Sequence, residues 1–226
     1  MPFVKICCIA SVDEARMAIA AGAHALGLVS AMPSGPGVIA DATIAQIAAA
    51  VALPTETFLL TSRTTAESIA AQHALARTTT LQLVDHVPHA ELRRLRTLCP
   101  GVRLVQVIHV VGEASRVEAL EAAPWVDALL LDSGNPGLAV KELGGTGRRH
   151  DWTLSRRIRD ALAPVPLLLA GGLNAENVAE AIRTVQPFGL DLCNGVRTNG
   201  RLDATRLREF FERVRPRLAC SAGPHK

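Results

Sequence analysis

The chain has 226 residues, of which 49% are apolar and 20% are charged, and 24 Lys and Arg against 21 Asp and Glu give a net charge of +3. This composition excludes an intrinsically disordered protein, which combines low hydrophobicity with high net charge. The small positive excess, with 3% aromatic residues and no Tyr, argues against a nucleic-acid-binding surface that relies on phosphate contacts and base stacking. The length suits one large domain or two small ones.

The apolar runs are too short to cross a membrane. The longest, Ile44–Leu53 and Leu104–Val111, contain Gln or His and fall short of the ~18 residues that a spanning helix needs. The run Ile6–Ala10 is followed closely by Asp13 and Glu14, so it does not resemble a secretory signal. We therefore expect no membrane association.

The cysteines predict free thiols. Their number is odd and no two of them form a CxxC pair, so neither a disulfide framework nor a zinc site is indicated. Free thiols are typical of the reducing cytoplasm, which is the location that we expect. The cysteines are Cys7, Cys8, Cys99, Cys193 and Cys220.

Strands and helices are predicted to alternate from end to end. Short runs rich in Val, Ile and Leu indicate strands that are buried on both faces of a parallel sheet. We expect these strands at Phe3–Ile9, Ala25–Val29, Thr57–Thr61, Thr80–Val84, Arg103–Val110, Val126–Asp132, Pro166–Ala170 and Gly189–Cys193.

Helical patterns fill the intervals between these strands. Ser11 and Glu14 have the spacing of a capping box, and Gly22 is placed to end the helix that they begin. Residues typical of helix starts precede the later helices, and the last helix is expected over about Ala204–Arg217. These starting residues are Asp41, Thr64, Pro88, Glu113, Asp151 and Asn174.

Eight strand and helix units predict a closed barrel. The 226 residues divide into eight units of about 28, close to the ~30 residues of a βαβ repeat. No linker or change in composition divides the chain, so we expect residues 1–226 to form a single (β/α)8 TIM barrel of the α/β class. A doubly wound open sheet is the alternative, but no GxGxxG follows the first strand.

Strand 1 supplies a candidate base or nucleophile. Side chains alternate along a strand, so Lys5 and Cys7 are expected to face the barrel interior, while Ile6 and Cys8 face the helices. A Cys7 thiolate near the mouth could accept a proton if Lys5 or a bound substrate lowered its pKa. The alternative is a buried structural cysteine. We interpret Cys8 as a packing residue.

Strand 6 supplies a candidate acid, because Asp132 ends a strongly apolar strand. Chemistry in such barrels takes place at the carboxyl ends of the strands. A carboxyl group in an apolar setting holds its proton more readily, which suits a general acid. The alternative is an Asp that only anchors the following loop.

Three glycine-containing loops predict a phosphate site. Glycines allow the backbone to approach a ligand closely, and successive N–H groups can bind an anion. Loops after strands 7 and 8 are where many barrels hold a substrate phosphate. The residues concerned are Gly144, Gly145, Thr146 and Gly147 after strand 6, Gly171 and Gly172 after strand 7, and Asn194 and Gly195 after strand 8.

Six motifs together resemble the phosphoribosylanthranilate isomerase family, in register over nearly the whole chain. The resemblance implies a (β/α)8 barrel of tryptophan biosynthesis that needs neither cofactor nor metal. The motifs are Lys5-Ile-Cys7, Ala21-Gly-Ala-His-Ala-Leu-Gly27, Leu130-Leu-Asp132, Gly144-Gly-Thr-Gly147 with Asp151-Trp152, Leu169-Ala-Gly-Gly-Leu-Asn-Ala-Glu-Asn-Val178 and Asp191-Leu-Cys-Asn-Gly-Val196.

The family's reaction, an Amadori rearrangement of an aminoaldose phosphate to an aminoketose, requires an acid and a base. The acid protonates the ring oxygen so that the ring opens to an imine, and the base then removes the proton on C2. The resemblance assigns the base to Cys7 and the acid to Asp132. It also implies a small-molecule phosphoribosyl amine as substrate, with no nucleic-acid or membrane partner, and we expect a monomer or a homodimer.

The chain departs from the family pattern around the amine. The family usually has Gly where Cys8 stands, and an Arg that holds the anthranilate carboxylate where Gly37 stands. Strand 4 ends in Asp85 instead of a segment with His, and Arg197 replaces Glu after strand 8. A carboxylate favours an Arg partner. Arg63 and Arg197, which lie just past strands 3 and 8, are therefore our candidates for a substitute.

These departures leave three functions open. The first is isomerisation of phosphoribosylanthranilate. The second is the same chemistry on a different phosphoribosyl amine, which the missing Arg favours. The third is a sugar-phosphate-binding barrel without catalysis, against which the presence of both Cys7 and Asp132 argues.

Overall fold

Eight parallel strands close into a barrel in the computed structural model, which describes residues 1–215. The strands follow one another around the barrel in chain order, and β1 pairs with both β2 and β8. They are β1 (Phe3–Ile6), β2 (Ala25–Val29), β3 (Glu56–Thr61), β4 (Thr80–Leu83), β5 (Arg103–His109), β6 (Ala128–Asp132), β7 (Leu167–Leu169) and β8 (Gly189–Leu192). The predicted barrel is confirmed, and the open-sheet alternative is wrong.

A helix follows each strand, and a short antiparallel pair, β9 (Arg197–Thr198) and β10 (Arg201–Leu202), precedes the last helix. The helices are α1 (Val12–Ala21), α2 (Asp41–Ala50), α3 (Ala66–Ala76), α4 (His89–Leu98), α5 (Ala114–Ala122), α6 (Trp152–Leu162), α7 (Val178–Val185) and α8 (Ala204–Val214). No helix within residues 1–215 is long and apolar enough to span a membrane.

Local capping signals place most helix ends correctly. Ser11 Oγ accepts a hydrogen bond from Glu14 N, Glu14 Oε2 accepts one from Ala10 N, and Gly22 ends α1 in the left-handed conformation. Asp151 caps α6 as expected. These contacts satisfy backbone N–H groups that the first turn of a helix leaves free.

Several predicted boundaries are wrong by a few residues. Ala40 rather than Asp41 precedes α2, Thr65 rather than Thr64 precedes α3, and Asn177 rather than Asn174 precedes α7. The Asn174 side chain instead accepts from the backbone N–H groups of the turn before the helix. The last helix ends at Val214, because Arg215 adopts an extended conformation. Cys220 and the predicted helix end at Arg217 lie outside the described residues.

Two layers of apolar side chains hold the barrel and its helices together. The larger layer lies between strands and helices, and it includes Ile6, Leu26, Leu59 and Phe210. The smaller layer fills the barrel interior. Because this interior is packed and not hollow, space for a ligand is left only at its mouth.

Candidate active site

A cavity of about 660 Å³, which includes its open mouth, lies at the carboxyl end of the barrel strands. All the predicted acid, base and phosphate-binding residues line it, although they come from four different strand ends. They are Cys7, Asp132, Gly144, Gly145, Thr146, Gly147, Gly171, Gly172, Asn194 and Gly195. The carboxyl ends of parallel strands meet at one rim, which explains why residues so distant in sequence lie together.

A buried ion pair forms the floor of this cavity. Lys5 Nζ lies 2.8 Å from Asp191 Oδ2, and the lysine side chain is fully buried. The same Nζ lies over the Phe58 ring, 5.4 Å from its centre, in a cation–π contact. Burial opposes the charge on Lys5, but Asp191, Cys7 and Cys8 together outweigh burial and raise the pKa of Lys5 above its ordinary value. A fixed positive charge therefore lies inside the barrel.

Cys7 lies directly beside this charge. A Cβ atom on Gly27 would be 2.8 Å from Cys7 Sγ and 2.9 Å from Lys5 Nζ, so both side chains point inward over the same glycine. The neighbouring Cys8 and the charge on Lys5 lower the pKa of Cys7, against the opposing effect of burial. The thiolate is thus more favoured here than in an ordinary cysteine, at a group that faces the cavity.

Asp132 is held at the end of β6 by its own loop. Its Oδ1 accepts a hydrogen bond of 2.7 Å from Ser133 N, while a Cβ atom on Gly144 would lie 2.6 Å from Oδ2. A side chain at position 144 would therefore displace the carboxylate. Because Gly144 has no side chain, Asp132 contacts this loop and also lines the cavity.

The three predicted anion-binding loops interlock. Asn194 Nδ2 donates to Gly145 O at 3.2 Å, and a Cβ atom on Gly172 would lie 2.8 Å from Gly147 O. Thr146 Oγ1 and Ser133 Oγ share a hydrogen bond of 2.7 Å. Backbone groups of three loops therefore converge on one part of the cavity, as an anion site without lysine requires.

Part of the cavity wall is apolar. Its side chains come from β2, β3 and the loops after β2 and β6: Val29, Met32, Pro36, Leu60 and Leu143. No Lys or Arg is among the lining residues within the described part of the chain. This wall is suited to an aromatic or aliphatic group.

The expected outward orientation of Cys8 is wrong. Strand β1 ends at Ile6, and Cys8 has a φ of +63°, so the alternation of side chains does not continue to this residue. Its side chain turns into the cavity beside Cys7, where Cys8 Sγ lies 2.7 Å from Cys193 Sγ. A positive φ in a residue other than glycine is uncommon, which agrees with the family's preference for Gly at this position.

Arg197 is not available to bind a substrate carboxylate. Its buried guanidinium forms an ion pair of 3.1 Å with Glu14 and donates to the backbone oxygens of Cys7, Cys8 and Gly200. The prediction failed because its partner, Glu14, lies 183 positions away in the sequence. Arg63 is exposed and is not among the cavity-lining residues, although it follows β3 at the same end of the barrel.

Sequence reasoning gave no role to Asp191 and Cys193, which both line the cavity. Asp191 Oδ1 is buried and has no hydrogen-bond partner among the described residues. The position of Asp191 within an apolar strand indicates a paired or functional carboxylate, since buried carboxylates are uncommon unless paired. Among residues 1–215, no group of three or more His, Cys, Asp or Glu is arranged to hold a metal ion.

Residues 4–213 match the family model described as N-(5'-phosphoribosyl)anthranilate (PRA) isomerase. The chain belongs to the phosphoribosylanthranilate isomerase family. A relative named N-(5'-phosphoribosyl)anthranilate isomerase from Methanocella arvoryzae is 36% identical, over 95% of this chain and 99% of its own. N-(5'-phosphoribosyl)anthranilate isomerase 1 from Methanosarcina mazei is 34% identical, over 94% of each chain.

Solved structures of the phosphoribosylanthranilate isomerase family superpose on the barrel over 94% of this chain and 98% of theirs. The Thermus thermophilus protein has a TM-score of 0.79 and 27% identity. Two others each have a TM-score of 0.77 and 25% identity. One is a complex with reduced 1-(o-carboxyphenylamino)-1-deoxyribulose 5-phosphate. The other is of monomers generated from the dimeric Thermotoga maritima protein.

The inward Cys8 predicts that Gly37 cannot be replaced. Gly37 has a φ of +78°, and a Cβ atom there would lie 2.5 Å from Cys8 Cβ. We expect Gly37→Ala to lower the free energy of unfolding by roughly 2–4 kcal/mol, through strain at positive φ and overpacking. In a Cys8→Gly background, the loss should shrink by about 1 kcal/mol or more. Urea denaturation of the parent, the two single variants and the double variant measures this coupling.

Gly101→Ala is the matched control, because Gly101 has a φ of +80° and a Cβ atom there would meet no other atom within 4 Å. It should show only the backbone strain, about 1 kcal/mol, in both backgrounds. Equal losses for Gly37→Ala and Gly101→Ala would contradict the contact with Cys8.

Proposed function

We propose that this protein catalyses the isomerisation of N-(5'-phosphoribosyl)anthranilate to the corresponding 1-amino-1-deoxyribulose phosphate in tryptophan biosynthesis. The observation that carries the proposal is the meeting of Cys7 and Asp132 in one cavity with three interlocked glycine loops. Membership of the phosphoribosylanthranilate isomerase family supports the same reaction.

Asp132 is the proposed general acid. Its Oδ1 is fixed by Ser133 N, which leaves Oδ2 as the oxygen that carries the proton towards the substrate. Donation of that proton to the ring oxygen breaks the C1–O bond of the ribose ring, and the lone pair of the amine nitrogen forms a C1=N double bond, which gives an iminium ion. Protonation of the leaving oxygen is a step that a positioned carboxylic acid accelerates.

Cys7 is the proposed general base. Its thiolate removes the proton from C2, and the electron pair moves into a C1–C2 double bond as the iminium nitrogen is neutralised. The enolamine then returns to a ketone by gaining a proton at C1 and losing one from the C2 hydroxyl. The nearby charge on Lys5 favours the thiolate before substrate binds, so the base is available in the resting enzyme.

The glycine loops are proposed to hold the substrate phosphate through backbone N–H groups of Gly144–Gly147, Gly171–Gly172 and Asn194–Gly195. Their convergence in the cavity supports this role. A small-molecule phosphoribosyl amine is therefore the proposed partner. A relative from Thermotoga maritima is described as dimeric, and we propose a monomer or a homodimer for this chain.

The aromatic ring of the substrate is proposed to lie against the apolar wall that includes Met32, Pro36 and Leu60. Its carboxylate requires a cation, and Arg63 is the remaining candidate. A second candidate function is the same rearrangement on an arylamine without a carboxylate. The observation that favours it is that the lining residues of the described chain include no Lys or Arg.

Removing either catalytic group should abolish turnover. We expect Cys7→Ala and Asp132→Asn to lower kcat by about 10²–10⁴-fold, the usual effect of losing a general base or acid. Steady-state assays and rescue of a tryptophan-requiring strain that lacks this isomerase measure the effect. Circular dichroism verifies the fold of each variant. Cys99→Ala, at a buried cysteine away from the cavity, is the matched control and should retain activity. Turnover by Cys7→Ala close to that of the parent would overturn the mechanism.

The role of Arg63 is tested with two substrates, the phosphoribosyl derivatives of anthranilate and of aniline, which lacks the carboxylate. We expect Arg63→Ala to raise KM for the anthranilate compound by about two- to fivefold, since an exposed charge pair commonly contributes ~0.2–1 kcal/mol. KM for the aniline compound should not change. Arg16→Ala, at an exposed position on α1, is the control.

A parent enzyme that uses the aniline compound as well as the anthranilate compound, with no effect of Arg63→Ala on either, would eliminate Arg63 as the cation. It would also favour the second candidate function.

A further inference from the structure

A second feature of the cavity is a pair of thiols that the proposed reaction does not use. Cys8 Sγ and Cys193 Sγ lie 2.7 Å apart, on the segments that follow β1 and β8. These segments are neighbours because β1 and β8 pair where the barrel closes. The left-handed conformation of Cys8 turns its side chain towards Cys193. Two residues that are 185 positions apart are thereby brought into sulfur–sulfur contact.

We propose that Cys8 and Cys193 form a redox-sensitive pair, which hydrogen peroxide converts into a reversible disulfide that lowers the activity of the enzyme. The first sulfur loses its proton and attacks the O–O bond, which gives a sulfenic acid and one water. The second sulfur attacks the sulfenic sulfur, so the S–O bond breaks and a second water leaves. Two thiols lose two electrons and two protons, and one peroxide yields two waters.

The pair is accessible to such a small oxidant. Cys193 is half-buried, and both sulfurs line a cavity that opens to solvent. Cys99 differs, because it is buried in the layer between strands and helices and lines no part of the cavity. The oxidation is therefore expected at the cavity and not at Cys99.

Cys7 is the other possible partner of Cys8, but the chain geometry disfavours it. Consecutive Cα atoms are about 3.8 Å apart, whereas disulfide-bonded residues usually have Cα atoms at least ~4.4 Å apart. Cys193 has no such restriction, since it comes from a different strand end. The disulfide should therefore join the segments that follow the first and last strands of the barrel and not include Cys7.

Formation of this disulfide would act directly on the proposed base. Cys8 directly follows Cys7, and Cys193 directly precedes Asn194 of the proposed phosphate-binding loop. A bond between the two sulfurs therefore moves the segments that carry the base and the phosphate site away from their arrangement in the reduced enzyme. This consequence rests on the proposed function, whereas the formation of the disulfide does not.

The test treats the reduced full-length enzyme with graded hydrogen peroxide, blocks the remaining thiols with an alkylating reagent, and maps the cysteines by mass spectrometry. We expect a peptide pair that joins Cys8 to Cys193, two hydrogens lighter than the separate peptides, while Cys7 and Cys99 remain alkylated. Activity measured on the same samples should fall in proportion to the fraction of enzyme that carries the linked peptide pair. Dithiothreitol should restore it.

Cys193→Ser and Cys8→Ser are each compared with their own activity before peroxide, and Cys99→Ser is the matched control. At doses that link the parent enzyme, the first two should lose no activity that dithiothreitol restores, while Cys99→Ser should respond as the parent does. Mapping the unaltered chain keeps the test valid if a variant does not fold.

Three results would overturn the proposal. The first is that Cys8 and Cys193 both stay alkylated at doses that inactivate the enzyme. The second is a linked peptide pair that contains a different cysteine, and the third is a link that forms without a change in activity. A disulfide in a protein that has no isomerase activity when reduced would instead contradict the proposed function.

Discussion

The buried ion pair between Lys5 and Asp191 connects the closure of the barrel to its chemistry. The two residues are register partners on β1 and β8, the strands that close the barrel. A buried charge is tolerated only with a close partner, and removing one member of such a pair commonly costs ~3–5 kcal/mol. The pair therefore favours the closed register, and in that register it places a positive charge beside Cys7 and a carboxylate on the cavity floor.

The cavity lining combines two kinds of group. Loops after β6, β7 and β8 present backbone groups, and their glycines allow the loops to approach one another closely. Strands β2 and β3 and the loop after β2 present apolar side chains, and Pro36 of that loop packs against Gly145. Cys7 and Asp132 line the same cavity. A molecule that carries both a phosphate and an apolar amine fits this lining.

The departures from the family pattern are physically linked. An inward side chain at Cys8 leaves no room for a side chain at Gly37, the position where the family usually has its Arg. The same inward orientation brings Cys8 to Cys193 and places its side chain in the cavity that Cys7 also lines. Cys8 therefore links three parts of the site: the loop that contains Gly37, the proposed base Cys7, and Cys193 on the segment after β8.

The sequence predicted the fold well because the barrel repeats a local pattern. Apolar runs, capping residues and glycine loops are visible in short segments. Because chemistry in such barrels takes place at the carboxyl ends of the strands, these segments also predict that Cys7 and Asp132 lie together. Predictions failed where the position of a side chain depends on an unusual backbone conformation or on a partner far away in the sequence. The positive φ of Cys8 breaks an alternation that the residue types alone do not interrupt. Arg197 pairs with Glu14, and Lys5 with Asp191, across distances in the chain that no local pattern reveals.

The most direct test of this account is a titration of the Cys7 thiolate in the enzyme without substrate. The rate of alkylation at Cys7, followed by peptide mass spectrometry across pH, gives its pKa independently of turnover. We predict a midpoint below the ordinary thiol value of 9.0, coincident with the acidic limb of the pH profile of kcat/KM. A midpoint at or above 9.0, or an acidic limb that does not follow it, would contradict the assignment of Cys7 as the base.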